Sequence, residues 1–486
     1  MISRLTSPLY IIILFFLFSS CVEEEDSLKV VITGDVMFLS SENVRLQGRF
    51  LNSSDETASD HGFLVSIDEN FSDPFQISLG PKSLSGFYFG EYNELQSNTN
   101  YYYKGFATFE EGIVEGEVKT FTTLSPKLVS FTPRIADEGE RIEIRGENFS
   151  NESQVFIGEN EAEILDVVFE SKLFVRVPPK SASANSEFAT ITVKNSGVEL
   201  QFEEQFEYLT GQWQQVGTLN VEIPPKAIDF NDSGSYIIGS GNKGGSLSNE
   251  FWAFDKNTLE WSVTTDYNIP NSFSRISEDC GEYFIGSTPA PSGPILELWT
   301  YENPEFTFQG YLEESTLNNL CLVYNNKLFL IGGQKFNDDS ELETLRKLFT
   351  FDLSTKAWDE PGFNPVKVTK KVPHFIYNNK AYMVSEDGYL WSLSAGNNWE
   401  QLVPIPASIL EIGIAEVIDD TAYFVSSGGG TYSLDLINFT WKRKKALTSG
   451  STEIAGHYVH NGKLYLVRND SFSNSLKVWE FNPGTI

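Results

Sequence analysis

Histidine, cysteine and methionine are scarce in this 486-residue chain, at four, three and three copies. So few imidazoles and thiols leave few seats for acid–base catalysis or transition-metal ligation. Positive charge is also short. Lys and Arg number 35 against 67 Asp and Glu, a formal net charge of −32. That excess repels a phosphate backbone and no basic stripe offsets it, so no nucleic-acid partner is expected. The one basic run, Lys442-Arg443-Lys444-Lys445, follows Trp441 and reads as a solvated strand face. No glycine-rich phosphate loop precedes a helix, and Asn337-Asp338-Asp339 lacks the glycine and glutamate of a calcium loop. Carboxylate pairs are easily found among 67 acidic residues and carry little weight. What the chain does have is aromatics, 14% of it, with little alanine, and that balance favours strands.

The first 21 residues read MISRLTSPLYIIILFFLFSSC. Arg4 gives a charged start, and the apolar run from Tyr10 to Phe18 is too short to span a bilayer. Ser19 and Ser20 lead into Cys21. The segment resembles a bacterial lipoprotein signal, which implies diacylation of Cys21 and a lipid anchor in the outer membrane. Glu23-Glu24-Glu25-Asp26 follows at once and resembles the surface-export signal of Bacteroidota-type lipoproteins. Residues 1–21 are thus expected as signal peptide, 22–28 as an acidic tether, and the cell surface as the location.

From 29 to 124, short alternating strands are separated by polar turns. Leu95, Asn98-Thr99, Tyr101, Gly112, Gly116 and the closing Lys119–Thr123 strand resemble a fibronectin type III-like domain. The resemblance implies a tyrosine corner within Leu95–Tyr101. From 125 to 209, Pro133, Gly139, Gly146, Asn148-Phe149, Gly158 and Val177-Pro178 resemble an IPT/TIG domain. Its glycines supply positive φ and its prolines close strand edges.

From 210 to 486 the chain repeats. An aromatic-led apolar strand recurs at Tyr236, Tyr283, Phe329, Tyr382, Tyr423 and Tyr465, by subtraction 47, 46, 53, 41 and 42 residues apart. Before each comes a polar pair suited to a two-residue hairpin: Ser233-Gly234, Cys280-Gly281, Asn325-Asn326, Asn378-Asn379, Asp419-Asp420 and Asn461-Gly462. After each comes a polar residue with an aromatic about six further on, as in Asp255–Trp261, Asp352–Trp358 and Asp435–Trp441. The sixth copy lacks its Trp, and Trp213 at the start of the region is expected to replace it. The pattern resembles the kelch/galactose-oxidase-like propellers. The expected fold is all-β, with two immunoglobulin-like β-sandwiches followed by a six-bladed kelch-like β-propeller closed by an N-terminal strand.

Eight residues before each repeat aromatic stand Ile228, Arg275, Cys321, His374, Ala415 and His457, expected as one ring along the propeller channel. Nearer the mouth come Asn318 and Lys371. Arg275, Asn318, Lys371, His374 and His457 are therefore the candidate ligand-binding residues, donors suited to an anionic or hydroxyl-rich ligand. Long loops in the first three copies and short ones at Asp387 and Gly429 imply a rim open on one side. Cys280 and Cys321 are expected to be unpaired. No catalytic set, metal or cofactor is expected, so the chain reads as a binding protein for a glycan or an outer-membrane protein complex. Two other readings compete with it. One is a carbohydrate-active enzyme of epimerase, mutarotase or lyase type with a channel site. The other is an accessory subunit of a secretion or outer-membrane assembly machine.

Overall fold

Alternation builds the first strands. Along Val44–Asn52, Val44, Leu46 and Phe50 are buried while Arg45 and Arg49 stay in solvent, the two-residue period of a half-covered sheet. The computed structural model describes residues 28–195, 197–220, 228–233, 236–243, 246–264, 283–288, 295–302, 305–311, 319–337, 341–368, 372–410, 413–448, 453–470 and 475–484. The chain is all-β, as expected. It divides into two compact units, Met1–Ala182 with Phe188–Phe206, and Ser183–Glu187 with Glu207–Ile486.

In the first unit, Lys29–Leu39, Val44–Asn52 and Gly86–Tyr92 form one antiparallel sheet. Phe75–Ser78, Asp60–Ser66 and Asn100–Phe109 form a second, extended by Gly112–Glu115 and Lys119–Thr122. The two sheets share a core containing Leu46, Phe50, Phe63, Val65 and Tyr103. Burial of each such side chain contributes about 1.5–3 kcal/mol. The expected tyrosine corner is present: the Gln96 amide donates to the Tyr101 hydroxyl at 2.9 Å.

The next strands form one nearly closed sheet of eight. Its order is Ile135–Ala136, Val198–Tyr208, Phe188–Asn195, Gln154–Ile157, Asn160–Val168, Lys172–Arg176, Arg141–Glu147 and Lys127–Thr132. The motif residues have local reasons. A Cβ on Gly146 would stand 2.2 Å from the Phe149 ring, and Phe149 is completely buried. Asn148 takes φ 58°, and its carbonyl accepts from the Asn195 amide at 3.0 Å. Buried Asn195 in turn accepts from the Ser150 amide and from the Ser150 and Ser153 hydroxyls.

Among the described residues the second unit holds six antiparallel sheets of three or more strands and one two-stranded hairpin sheet, and strands follow chain order in the first, second, fourth and fifth of the six. The fourth, for example, runs His374–Tyr377, Lys380–Val384, Tyr389–Ser394 and Trp399–Pro404. The expected hairpins at Asn325-Asn326, Asn378-Asn379 and Asn461-Gly462 have positive φ at both positions. Asp255, Asp352 and Asp435 earn their recurrence at the later turns. Each carboxylate accepts two backbone amides two and three residues on, for Asp352 at 2.9 Å from both Ser354 and Thr355. The following Trp then packs on a Phe, at 4.8 Å for Trp261–Phe254 and 4.9 Å for Trp441–Phe424.

The sixth sheet joins both ends of the region. Gln212–Asn220 pairs with Ser475–Asn482, with Trp213 opposite Phe481 and Gln215 opposite Trp479, so Trp213 stands where the sixth copy lacks its Trp. Gly211 lets the chain enter at φ 94°, where a Cβ would lie 2.3 Å from the Phe481 ring. The basic run is not a purely solvated face. Lys442 bonds Glu207 at 3.1 Å, and half-buried Lys444 donates to the Thr210 hydroxyl at 2.6 Å. Burial lowers the Lys444 pKa, with Lys442 adding to the effect. Cys321, 2% exposed, is disulfide-bonded, which overturns the expectation of an unpaired thiol. Sequence spacing gave a height along the sheet, and height alone does not fix the distance between two sulfurs.

Candidate functional site

Strand pairing fixes which first-strand residues share a level. Cys321, His374, Ala415 and His457 stand opposite Leu330, Met383, Phe424 and Leu466, each the residue just after a repeat aromatic. Those four share a level as expected. Ile228 does not, because it pairs with Gly241. In the first sheet Tyr236 follows its turn directly, opposite Ser233, and Phe230 opposite Gly239 takes the corresponding place. Arg275, Asn318 and Lys371, like Cys21, lie outside the described residues.

Two of these four are packed in the core. Cys321 packs with Leu298, Leu330 and Phe351, and Ala415 with Phe375, Tyr382 and Phe424, so both are core residues between neighbouring sheets. The reason is elementary. Side chains leave a strand normal to its sheet, and both faces of these sheets are covered. A polar group at this level can therefore meet the adjacent sheet.

His457 does so by bonding. Its Nδ1 lies 2.7 Å from Oε1 of Glu416, with the side chains 10% and 25% exposed. Glu416 comes from Gly413–Ile418, the first strand of the fifth sheet, and His457 from Ile454–His460, the first strand of the sixth. A carboxylate on Nδ1 fixes the ring orientation and leaves Nε2 as the nitrogen directed elsewhere. His374 is half-buried, and its Nδ1 lies 3.0 Å from the Val372 carbonyl. The structure does not bring the two histidines into one cluster with a third ligand. Among the described residues, no group of three His, Cys, Asp or Glu is placed to hold a metal.

A buried cation sits at the end of the second strand of the sixth sheet. Arg468, 1% exposed, donates through Nη2 to the Ser427 carbonyl in the turn of the fifth sheet. Burial pushes its pKa down to about 10. Beside it, buried Asn469 donates to Glu453 Oε2 at 2.9 Å. Neither Glu416 nor Arg468 was among the residues singled out in the sequence. Arg468 carried a signal, since it stands three places after its repeat aromatic where the other copies have Gly239, Gly286, Gly332, Ser385 and Ser426.

The turns between second and third strands are uneven in their described parts. The third sheet carries an extra hairpin, Gln334–Phe336 with Leu342–Thr344, and displays Phe336 at 61% exposure. The long segment of the first copy is strand rather than loop, with Lys243 paired to Ser246. The fourth and fifth sheets turn back tightly, through bonds from the Gly388 amide to Ser385 and from the Gly429 amide to Ser426. Gly429 takes φ 91°, and a Cβ there would lie 2.1 Å from the Leu447 carbonyl.

Residues 126–208 match the IPT/TIG domain family, and that segment of the chain is an IPT/TIG domain. No curated protein matches the chain. Among solved structures it is similar to a structural-genomics protein of unknown function from Bacteroides thetaiotaomicron VPI-5482. That likeness is at 12% identity and a TM-score of 0.34, over 74% of this chain and 98% of the other. It is also similar to YjhT at 12% identity and a TM-score of 0.40, over 54% of this chain and 96% of that one.

Proposed function

We propose that the chain is an outer-membrane surface lipoprotein, anchored through Cys21, whose two sandwich modules carry a six-bladed kelch-like propeller that binds a glycan or a protein partner. The observation that carries the reading is the joining of Gln212–Asn220 to Ser475–Asn482, which completes the last of six successive sheets of three or more strands. A propeller needs such a joint between chain ends. First strands that carry polar groups at one level, and face neighbouring sheets, fit the same architecture. In the first module, the two-sheet strand order with its tyrosine corner fits a fibronectin type III-like domain. The disulfide at Cys321 fits a secreted protein.

The ligand is read from the charge pattern. In the sequence, Arg275, Lys371, His374 and His457 supply donors in an acidic chain. That local field favours an anionic glycan. The test is calorimetric titration of the full mature chain with uronate and sialyl oligosaccharides. Binding should disappear in the double variant Arg275→Ala/His374→Ala while the Tm is kept. Binding that survives this variant and vanishes on deleting the sandwich modules overturns the propeller site. Mass spectrometry of the mature N-terminus should find an acylated Cys21. A free amino terminus at another residue removes the anchor.

The Glu416–His457 pair favours a second reading, a sugar-ring isomerase. An imidazole oriented by a carboxylate is a competent proton carrier. NMR exchange between sugar anomers, accelerated by the wild type and not by Glu416→Gln, would support it. Equal rates for the two proteins would remove it.

A further inference from the structure

The geometry points to a second binding site, in the first unit: a cleft between the two sandwich modules that takes a neutral saccharide. The cleft has a volume of about 590 Å³ and is lined by Phe38, Asn43, Arg45, Glu91 and Tyr92 from the first module and by Glu170 from the IPT/TIG domain. That volume falls within the range of small-ligand pockets.

Its chemistry suits hydroxyl-rich rings. Phe38 is 52% exposed, and Tyr92 is held in place by stacking on Phe75 at 4.3 Å. Exposed, fixed aromatic faces pack against the C–H face of a pyranose. The polar groups come as donor–acceptor pairs. The Asn43 amide donates to Glu170 Oε1 at 3.3 Å, and Arg45 Nε lies 3.3 Å from Glu91 Oε1. Neighbouring hydroxyls of a sugar, each donor and acceptor at once, are matched by such pairs. Asn43 is itself positioned by the buried Ser40, whose hydroxyl lies 3.1 Å from its amide nitrogen. Two carboxylates against one guanidinium leave the cleft negative, which selects against uronates and sialic acids. The site thus differs in charge preference from the propeller proposed above, and its existence does not depend on that reading.

A separate observation concerns the turn that delivers Glu170. Phe169 and Glu170 are the two central residues of the hairpin between Asn160–Val168 and Lys172–Arg176, at φ 50° and 52°. Such turns normally hold Asn-Gly, because other residues resist positive φ. Phe169 is 93% exposed, so its side chain returns nothing to the core. The Phe149 amide fixes the turn by donating to the Glu170 carbonyl at 2.8 Å. A strained turn kept with a carboxylate in a cleft is the pattern of stability given up for a site.

The test uses the full mature chain and neutral oligosaccharides, namely cello-, malto- and mannohexaose, by calorimetry. At least one should bind, and Phe38→Ala and Asn43→Ala should each weaken that binding about tenfold. The turn variant Phe169→Asn/Glu170→Gly should raise the Tm and weaken binding about tenfold. Arg275→Ala/His374→Ala should leave the neutral-sugar affinity unchanged. The inference is overturned if no neutral oligosaccharide binds the wild type. Full affinity in the turn variant overturns it too, as does loss of affinity in the Arg275/His374 variant.

Discussion

The indole Nε1 of Trp213 donates to the backbone carbonyl of Lys445 at 3.2 Å. The same bond recurs between other sheets. Trp358 donates to the Tyr311 carbonyl at 2.8 Å and Trp441 to the Pro404 carbonyl at 3.0 Å, each acceptor on the last described strand of the preceding sheet. Trp213 is thus the sixth sheet's copy of a repeated latch, supplied from the other end of the region. Its ring also lies 4.9 Å from Phe481. Trp213→Ala should cost about 2–4 kcal/mol, below the figure for a fully buried Trp because the side chain is half-buried. Differential scanning calorimetry should show a lowered Tm for the repeat region alone. An unchanged transition would mean that the closure does not limit its stability.

In the first module Tyr88 lies over two glycines. A Cβ on Gly48 would stand 2.2 Å from the Tyr88 ring, and one on Gly105 would stand 2.5 Å from its hydroxyl. That hydroxyl is buried without a hydrogen-bond partner, and burial raises its pKa well above the usual tyrosine value. Tyr88→Phe keeps the packing and deletes the unsatisfied group, so chemical denaturation should show equal or higher stability. Gly48→Ala should destabilise by about 1–3 kcal/mol through overpacking. The opposite signs of these two changes are the check.

Features made by neighbours in sequence were legible before the fold. The corner at Tyr101, the hairpins at Asn325-Asn326 and Asn378-Asn379, and the turns at Asp352 and Asp435 all follow from local backbone needs. The register of the first repeat was not, because its aromatic served as the ruler. Tyr236 sits right after its turn, while Phe329 sits two places further along, opposite Leu322. Contacts between sheets were also hidden. Glu416 and His457 are 41 residues apart, and Asn43 and Glu170 are 127 apart. Nothing in either segment announces the other, since their approach depends on how whole sheets and modules pack.

The closing strand carries an acid-sensitive contact. Glu480 accepts from Lys463 at 2.6 Å and from the Tyr465 hydroxyl at 2.7 Å. Burial alone would raise its carboxyl pKa, but the bonds from Lys463 and Tyr465 outweigh burial and hold it below its ordinary 4.5. A depressed folded-state pKa gives stability that is present above the unfolded value and lost as pH falls through the folded one. The Tm should therefore fall as pH is lowered past 4.5. Glu480→Gln should start lower at neutral pH and fall less. Parallel pH profiles for the two proteins would show that Glu480 is not part of the acid response.

Cys321 is a crosslinked core residue. Its side chain is 2% exposed on the first strand of the third sheet, and it is disulfide-bonded. The chain has two other cysteines, Cys21 and Cys280. If Cys21 is acylated as proposed, Cys280 is the thiol left by count to pair with Cys321. A non-reducing peptide map of the mature protein should join the peptides of Cys321 and Cys280, with no thiol titratable in the folded state. A crosslink closing a loop of this size stabilises by about 3–4 kcal/mol, chiefly by restricting the unfolded chain. Reductant, or Cys321→Ser, should therefore lower the Tm of the repeat region and leave that of the sandwich modules in place. A free Cys280 thiol in the mature chain would break this account at its arithmetic, and a Cys21–Cys321 bond would remove the lipid anchor as well.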